Sequence, residues 1–509
     1  MITIIDCYTD EPAGLGVPPY VGTYPRYIAG AILNSGKKVK YLTIDDLRAH
    51  FSEKYKGSKE DIEEQNFARM KTDIKIRNLT SNFDKIKDIL EKSEMIIFIV
   101  GVHTPGKYLS AIPGTMKEAE DYVKRLKKIN YNPIILTGPA TKSGTGLFGG
   151  KIATKVHEGV FDKIVEDIEI HPEIFENNEI KNNTYTYDKI KDIAIKGAEI
   201  VKQFPHKEFL IAEIEASKGC SRKTGCSFCT EPLKAKVENR NVDEIIEEIK
   251  ELHKHGIRNF RIGKQSDLFS YPDMEKLLKN ASKYADILHI DNINPANVTE
   301  EKVKTVVKYC TAGNIAAMGQ ESFDDVVIEN NNLNSNAKLT YKAIKIMNKY
   351  GAKRGDNGLP EFLPGINILF GLNKESKKTH EANIFWLQKF LDEDLLIRRI
   401  NVRQVVIFPG TPLFADVKNK FIKKNKKYYW KWRNDIRQKI DSPMLKNLVP
   451  EGAILKNLRA EIYDGNTTFL RQIGTYPLIV GVKERLQLDK FYDVKIIGHM
   501  LRSLVGKVI

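Results

Sequence analysis

No run of eighteen apolar residues occurs in this chain, so its sequence offers no membrane-spanning helix. Residues 1–7 carry neither a basic start nor a cleavage site, and they read as a short strand rather than a secretion signal. Cysteine is scarce, with five in 509 residues. That is no disulfide framework, and three of the five share one loop, so a reducing cytoplasm is the expected location. Acid is short as well: 66 Asp and Glu stand against 81 Lys and Arg, a formal charge of +15. Such an excess favours an acidic partner, usually nucleic acid, although a lysine-rich thermophilic composition gives the same balance with no partner at all. Internal repeats and low-complexity tracts are missing too. What is present is a 41% hydrophobic chain with room for about three domains.

Residues 1–165 alternate strands, expected at 2–6, 38–42, 95–100 and 133–136, with helices at 25–34, 58–78, 83–92 and 115–129. The strands run into glycine turns, and a glycine-rich loop follows through Gly150. This is the pattern of a doubly wound, Rossmann-like α/β domain with a ligand crevice at the strand carboxyl ends. Residues 166–205 read as a polar connector with a helix near 187–203. Residues 206–415 repeat strand–helix units, with strands at 209–214, 259–263, 287–290, 315–318, 365–370 and 401–408. Six units make an incomplete (β/α)6 barrel rather than the eight of a full one. Residues 416–440 form a basic, aromatic helix, and residues 441–509 a small C-terminal β-barrel.

The most informative stretch is Ala216-Ser-Lys-Gly-Cys220-Ser-Arg-Lys-Thr-Gly-Cys226-Ser-Phe-Cys229. Three thiolates on one loop past a strand end can hold three irons of a cubane [4Fe–4S] cluster, leaving the fourth for a ligand that is not protein. A tetrahedral zinc site would need a fourth Cys or His, and the loop offers none. The loop resembles the Cys-x3-Cys-x2-Cys cluster loop of radical S-adenosylmethionine (SAM) enzymes, with the first gap lengthened to five residues and Phe228 before the last cysteine. The resemblance implies that Cys220, Cys226 and Cys229 ligate the cluster and that SAM chelates its open iron. It further implies reductive cleavage of SAM to a 5′-deoxyadenosyl radical, which takes hydrogen from an unactivated carbon, and an electron donor such as ferredoxin or flavodoxin.

In such a barrel, cofactor-facing residues belong at the carboxyl ends of the later strands. Arg261-Ile-Gly263-Lys-Gln265-Ser266-Asp267 stands where the family carries a glycine-rich run against the SAM amino group, making Gly263, Gln265 and Ser266 candidates. Asp291 and Asn292 crowd the third strand tip. Met318-Gly-Gln320-Glu321-Ser322 resembles the family's Gly-x-Glu-Ser segment, whose polar side chains face SAM, and Asn330-Asn-Asn332 follows it. Phe370-Gly-Leu-Asn373-Lys374-Glu375 resembles Phe-Gly-x-Pro-Gly-Glu with its proline and second glycine replaced. Phe408-Pro-Gly-Thr411-Pro412 is close to the family's Pro-Gly-Thr-Pro turn, with Arg403 just before it. Any one of these is an ordinary strand-end turn; five in the family's order are not.

A doubly wound domain precedes such a barrel in two branches of the family, the cobalamin-dependent enzymes and the methylthiotransferases. The latter carry three further cysteines there; this domain has one, Cys7, which reads as a core residue at a strand end. Gly14-Leu-Gly16-Val-Pro-Pro-Tyr20 and Leu136-Thr-Gly138-Pro resemble corrin-contacting turns, so Gly14, Gly16 and Gly138 are candidate cobalamin contacts. The Asp-x-His-x-x-Gly loop of other corrinoid proteins is absent, and His103 reads as a turn histidine. A ligand-free domain that shapes the substrate cleft is the open alternative.

Residues 418–440 hold ten Lys or Arg and one acid, Asp435, interleaved with Phe421, Tyr428, Tyr429, Trp430 and Trp432. Such a helix can track phosphates and stack on bases, or pack its aromatics on the barrel. The glycine-punctuated tail, through Thr468, Gly474, Tyr476, Gly481 and Gly506, resembles the TRAM module that binds tRNA on methylthiotransferases and RNA methyltransferases. The expectation is a radical SAM enzyme that modifies an unactivated carbon of RNA, tRNA by preference, through methylation. The alternatives are modification of a protein or small metabolite, and a non-enzymatic Fe–S nucleic-acid-binding protein.

Overall fold

The computed structural model describes residues 1–8, 20–51, 79–101, 114–146, 149–157, 159–165, 186–204, 207–222, 224–234 and 236–509. The chain forms two compact units. One comprises Met1–Phe148, Ala153–Glu215 and Asp243–Phe260; the other comprises Gly149–Ile152, Ala216–Val242 and Arg261–Ile509.

In the first unit, β1 (Ile2–Asp6), β3 (Val39–Thr43), β4 (Met95–Ile99), β5 (Ile134–Thr137) and β6 (Lys163–Ile164) form a parallel sheet in the order β3-β1-β4-β5-β6. β1 and β4 are buried at every position, as parallel strands covered on both faces must be. The order reverses between β1 and β4, which is the switch point where doubly wound sheets open a crevice. The helix Met116–Leu126 starts at a capping box, with Thr115 and Glu118 satisfying each other's backbone N–H groups. The helix expected at 58–78 lies outside the described residues.

The helix expected near 187–203 is Tyr187–Gly197 followed by a 3-10 turn, Ala198–Gln203. It lies directly on the helix Thr23–Asn34. A Cβ at Gly30 would stand 1.9 Å from Ile193 O, and one at Gly197 1.9 Å from Arg26 O, so only glycine lets the two backbones meet. The described part of the presumed connector, residues 186–204, is therefore packed as part of this unit. β2 (Tyr20–Val21) pairs in parallel with β7 (Ile211–Glu215). Arg26, fully buried, donates to Glu248 at 2.8 Å and to the carbonyls of Val21, Gly22 and Glu213. Those acceptors compensate its desolvation and fasten the helix Val242–Lys254 to the same core.

In the second unit, β8 (Ser217–Lys218) and β9 (Glu238–Asn239) pair antiparallel. β10 (Asn259–Gly263) and β11 (Ile287–Ile290) fall where they were expected. β12 (Asn292–Ile293), β13 (Asn314–Glu321), β14 (Phe362–Phe370) and β15 (Arg399–Gln404) form a parallel sheet in that order. β15 ends four residues before the expected 408. Beyond Gln404 the chain meets the glycine-rich segment instead: Gly150 N donates to Val405 O at 2.7 Å and Ile407 N to Lys151 O at 3.0 Å.

β16 (Ile454–Asp464), β17 (Thr467–Gln472), β18 (Val480–Val482), β19 (Phe491–His499) and β20 (Leu504–Val508) close a barrel in the order β16-β17-β18-β20-β19. Only β18 and β20 run parallel. Small five-stranded barrels of this kind include the OB-folds. Leu359 and Leu363 share one apolar core with Leu445, Leu448, Leu458, Leu470 and Val480, so the barrel is packed onto the start of β14. Among the described residues no helix is long and apolar enough to cross a membrane.

Candidate active site

The cysteine loop leaves β8 through Gly219, whose φ of +75° suits glycine. Ser266 Oγ donates to Gly219 O at 3.1 Å and pins the start of the loop. The far end is a turn in which Cys229 N donates to Cys226 O at 3.0 Å. Between them the loop is held by Asn331 and Asn332, which follow the helix Asp325–Asn330. Asn331 is fully buried; its Oδ1 accepts from Ser227 Oγ at 2.8 Å and from Asn373 N at 3.0 Å, and its Nδ2 donates to Asn373 O at 2.9 Å. Asn332 Nδ2 donates to Gly225 O at 3.0 Å and to Thr224 O at 2.9 Å. Leu413 N donates to Ser227 O at 2.8 Å, so the Pro-Gly-Thr-Pro turn also grips the loop. Phe228 packs with Cys226 on Val327, Leu333, Leu372 and Leu413. Ser266, Asn331, Asn332, Asn373 and Leu413, from four of the expected segments, thus meet around the cysteine loop.

All three thiols are half-buried. Burial raises the Cys226 thiol to about 11, against the opposing charge of Arg222, whose Nη1 lies 3.3 Å from the sulfur. Glu231 N donates to Cys229 Sγ at 3.4 Å. A thiol placed this way ionises when a metal replaces its proton. Among the described residues no three His, Cys, Asp or Glu side chains close on a single ion. A cubane instead gives each thiolate an iron of its own.

Gly263 ends β10, and Gln265 follows it, 1% exposed. Gln265 Nε2 donates to Ile262 O at 3.0 Å, while its Oε1 has no hydrogen-bond partner. A buried orphan acceptor fits a cationic amino group. Asn292 Nδ2 donates to Gln265 O at 3.4 Å and to Asp291 Oδ2 at 3.2 Å, joining the two strand tips. Asp267 accepts from Phe269 N, Asn294 N and Asn297 Nδ2 and serves the turn.

At the end of β13 the expected trio divides. Gln320 is fully buried, with its amide on Ser322 O and Thr340 Oγ1, and Ser322 Oγ accepts from Asp324 N. Both shape the turn rather than offer a free polar group. Glu321 has φ +58°, uncommon for a residue with a side chain. Burial pushes its carboxyl up to about 8, with Arg403 opposing. Along β14 and β15 the more open positions are Asn367, Asn401 and Arg403, on one face by alternation. Asn401 Nδ2 donates to Asn367 Oδ1 at 3.1 Å, and Arg403 Nε to Asn401 Oδ1 at 3.0 Å. The alternation Asn367/Leu369 and Arg399/Asn401/Arg403 was present in the sequence as the signal for this polar ladder. Glu375 serves the fold: fully buried, it accepts from Gly371 N at 2.6 Å and from Asn425 Nδ2 at 2.8 Å.

The C-terminal barrel sends Gly474–Tyr476 against β11. Thr475 N donates to His289 Nδ1 at 3.0 Å, and Tyr476 Oη to Asp291 Oδ1 at 3.2 Å. A Cβ at Gly474 would stand 2.7 Å from His289 Cε1, so this approach requires glycine. Asp291, expected at the cofactor, is thus bound to the tail's Tyr476.

In the first unit, Gly14, Gly16 and His103 lie outside the described residues. Gly138 has φ +103°, and a Cβ there would be 2.5 Å from Val100 O, so close backbone packing alone requires glycine. Cys7 is fully buried and its thiol is pushed well up by burial, then by Asp6 and Glu118, which makes it a core residue.

Residues 214–382, which contain the cysteine loop and the tips of β10 to β14, match the family model of the radical SAM superfamily. The chain carries a radical SAM domain. It is 40% identical to an uncharacterised protein of Methanocaldococcus jannaschii over 99% of this chain and 93% of that one. It is 21% identical to the ribosomal protein uS12 methylthiotransferase RimO of Bacteroides fragilis over 58% of this chain and 68% of RimO. Among solved structures it is similar to the radical SAM methyltransferase TsrM of Kitasatospora setae, with a TM-score of 0.49 and 13% identity over 82% of this chain and 75% of that one. The radical SAM domain uses a [4Fe–4S] cluster and SAM, and the donor set of Cys220, Cys226 and Cys229 fits the former.

Proposed function

We propose that this radical SAM enzyme modifies an unactivated carbon of RNA, tRNA by preference, by methylation. The observation that supports the substrate is the outward face of the helix Lys420–Ile436 and its lead-in. Lys418, Lys420, Lys423, Lys424, Lys426, Lys427 and Lys431 are all exposed beside Trp430, which is 47% exposed. Phosphates suit the lysines, and a base suits the tryptophan. The expectation for the aromatics is corrected in part: Phe421, Tyr429 and Trp432 are buried, with Phe370 against Tyr429 and Trp432, and they hold the helix on the protein. A closed five-stranded barrel at the C-terminus adds a module of a class that often binds oligonucleotides.

When bound, the cluster and SAM would supply one-electron radical chemistry, with an external reductant such as ferredoxin or flavodoxin as the electron source. The chain supplies the rest. Cys220, Cys226 and Cys229 would hold the irons, and the Asn331–Ser227 clamp fixes the loop that carries these cysteines. Gln265 Oε1 and Glu321 offer acceptors for a cationic amino acid moiety, with Gly263 ending β10 two residues before Gln265. Arg403 is oriented by Asn401 and offsets charge beside Glu321. Cobalamin at the β1–β4 switch point, contacted through Gly14, Gly16 and Gly138, belongs to the same proposal and would carry the methyl group.

A protein substrate is the second reading, favoured by the likeness to RimO, whose name gives a ribosomal protein as its target. Mass spectrometry of nucleosides from cells lacking this protein separates the two. Loss of one methylated nucleoside supports RNA, and an unchanged nucleoside profile rejects it.

A further inference from the structure

Five arginines of the second unit gather around a single carboxylate. Arg437 pairs with Asp441, and Arg502 Nε stands 3.9 Å from the same Asp441 oxygen. Arg437 Nη1 also donates to Ile400 O at 2.6 Å, which brings it to the start of β15. There Arg398 Nη2 donates to Tyr476 O at 2.6 Å, and the Arg399 guanidinium lies 4.0 Å from the centre of the Tyr476 ring. Arg433, one helical turn before Arg437, lies over Trp430 at 5.4 Å. Crowding shows in their acidity. Burial and then Arg399 lower Arg398 to about 9, with Asp441 opposing. Arg502 keeps 51% of its side chain exposed, so the group is open to solvent.

Two donors here are buried without an acceptor, Nε of Arg398 and Nε of Arg437. The helix Lys420–Ile436 does not end here but runs on through the π turn Arg437–Asp441 into Ser442–Leu448, so no helix carbonyl end accounts for the arginines. Five positive groups with one negative partner and two orphaned donors lack an acceptor of several hydrogen bonds. Phosphate is that acceptor, since guanidinium forks match its oxygens two at a time. We infer that Arg398, Arg399, Arg433, Arg437 and Arg502 form a site for a phosphate ester, occupied by a backbone phosphate of the substrate RNA whose neighbouring base lies on Trp430. This rests on the RNA reading of the function and gives it a fixed point: the site continues the exposed lysine face toward β15, whose Arg403 lies four residues, or about 13 Å, beyond Arg399.

The test uses the full, cluster-loaded chain. Arg437 is buried, so the variants are Arg433→Gln with Arg502→Gln, and Arg502→Lys, with visible absorbance of the cluster as the check of folding. A fluorescent tRNA transcript is titrated at several salt concentrations. The double variant should bind at least tenfold more weakly, with the log–log salt slope reduced by about two, and Arg502→Lys should fall between it and the wild type. Wild-type affinity and slope in the double variant would overturn the site while leaving the RNA reading standing. If the wild type binds no tRNA, that reading fails, and phosphorus NMR with adenosine 5′-monophosphate and with inorganic phosphate decides the site alone. Binding lost in the double variant would support a free phosphate-ester site; no binding by the wild type would overturn it.

Discussion

Asn331 gives the sharpest test of how the cluster loop is held. Asn331→Leu keeps the volume of a fully buried side chain and removes its bonds to Ser227 Oγ and to both backbone groups of Asn373. Ser227 is itself buried, and a buried polar group left unpaired costs about 1–3 kcal/mol. The Ser227 hydroxyl can turn to another acceptor, whereas Asn373 N cannot, so the net loss is about 2–4 kcal/mol. That is a large part of the about 5–15 kcal/mol of a typical domain. The loss falls on the joint that presents Cys226 and Cys229, so local opening should precede unfolding. In anaerobic protein, the rate at which a ferrous chelator strips iron should rise about tenfold or more, since about 1.4 kcal/mol is a factor of ten. Asn331→Asp, which retains the acceptor and loses the Nδ2 donor, should be intermediate. Iron release at the wild-type rate in Asn331→Leu would refute the clamp.

Other outcomes follow from the same geometry. His289 is buried and held down to about 4 by that burial, below its ordinary value near 6.5. A lowered histidine contributes stability that is complete above about pH 6.5 and is lost as pH falls to about 4, about 3 kcal/mol in all. Thermal melting of cluster-free protein should therefore weaken more steeply over that window in the wild type than in His289→Gln, and equal slopes would remove the histidine from the acid response. Replacing Lys423, Lys427 and Lys431 with Gln should lower the log–log salt slope for tRNA by about three; an unchanged slope would place the RNA elsewhere. If the first unit binds cobalamin, the protein should retain hydroxocobalamin through desalting, with a bound corrin in its visible spectrum. No retention at micromolar cobalamin would remove the corrinoid from the proposal.

Much of this was legible because the chemistry is local. The cysteine loop, the strands at 259–263 and 287–290 and the alternating first sheet are short-range patterns, and the Asn330–Asn332 turn was visible as a feature, though its grip on Ser227 was not. What escaped depends on partners far along the chain. Gly149 and Gly150 read as the end of a glycine-rich loop, yet a Cβ on either would strike Gln404, at 2.0 and 2.6 Å. Tyr476 read as a spaced residue of the tail, yet it bonds to Asp291, 185 residues away. The aromatics of 418–440 form one composition signal, and packing against Phe370 and His380 separates the buried Tyr429 and Trp432 from the exposed Trp430. The tail read as a module of its own; the core it shares with Leu359 and Leu363 means that deleting 441–509 would uncover β14, so point variants are the cleaner test.

The central claim is radical SAM chemistry on RNA, and one labelling experiment addresses it directly. Anaerobically reconstituted protein, a strong reductant, and SAM with a deuterated methyl group are incubated with bulk RNA and ribosomal protein from cells lacking this protein. The account predicts 5′-deoxyadenosine together with label in one RNA nucleoside, both abolished when Cys220, Cys226 and Cys229 are replaced with Ala. Deoxyadenosine with label only in protein would contradict the RNA substrate, and deoxyadenosine unchanged in the cysteine variant would contradict the cluster assignment.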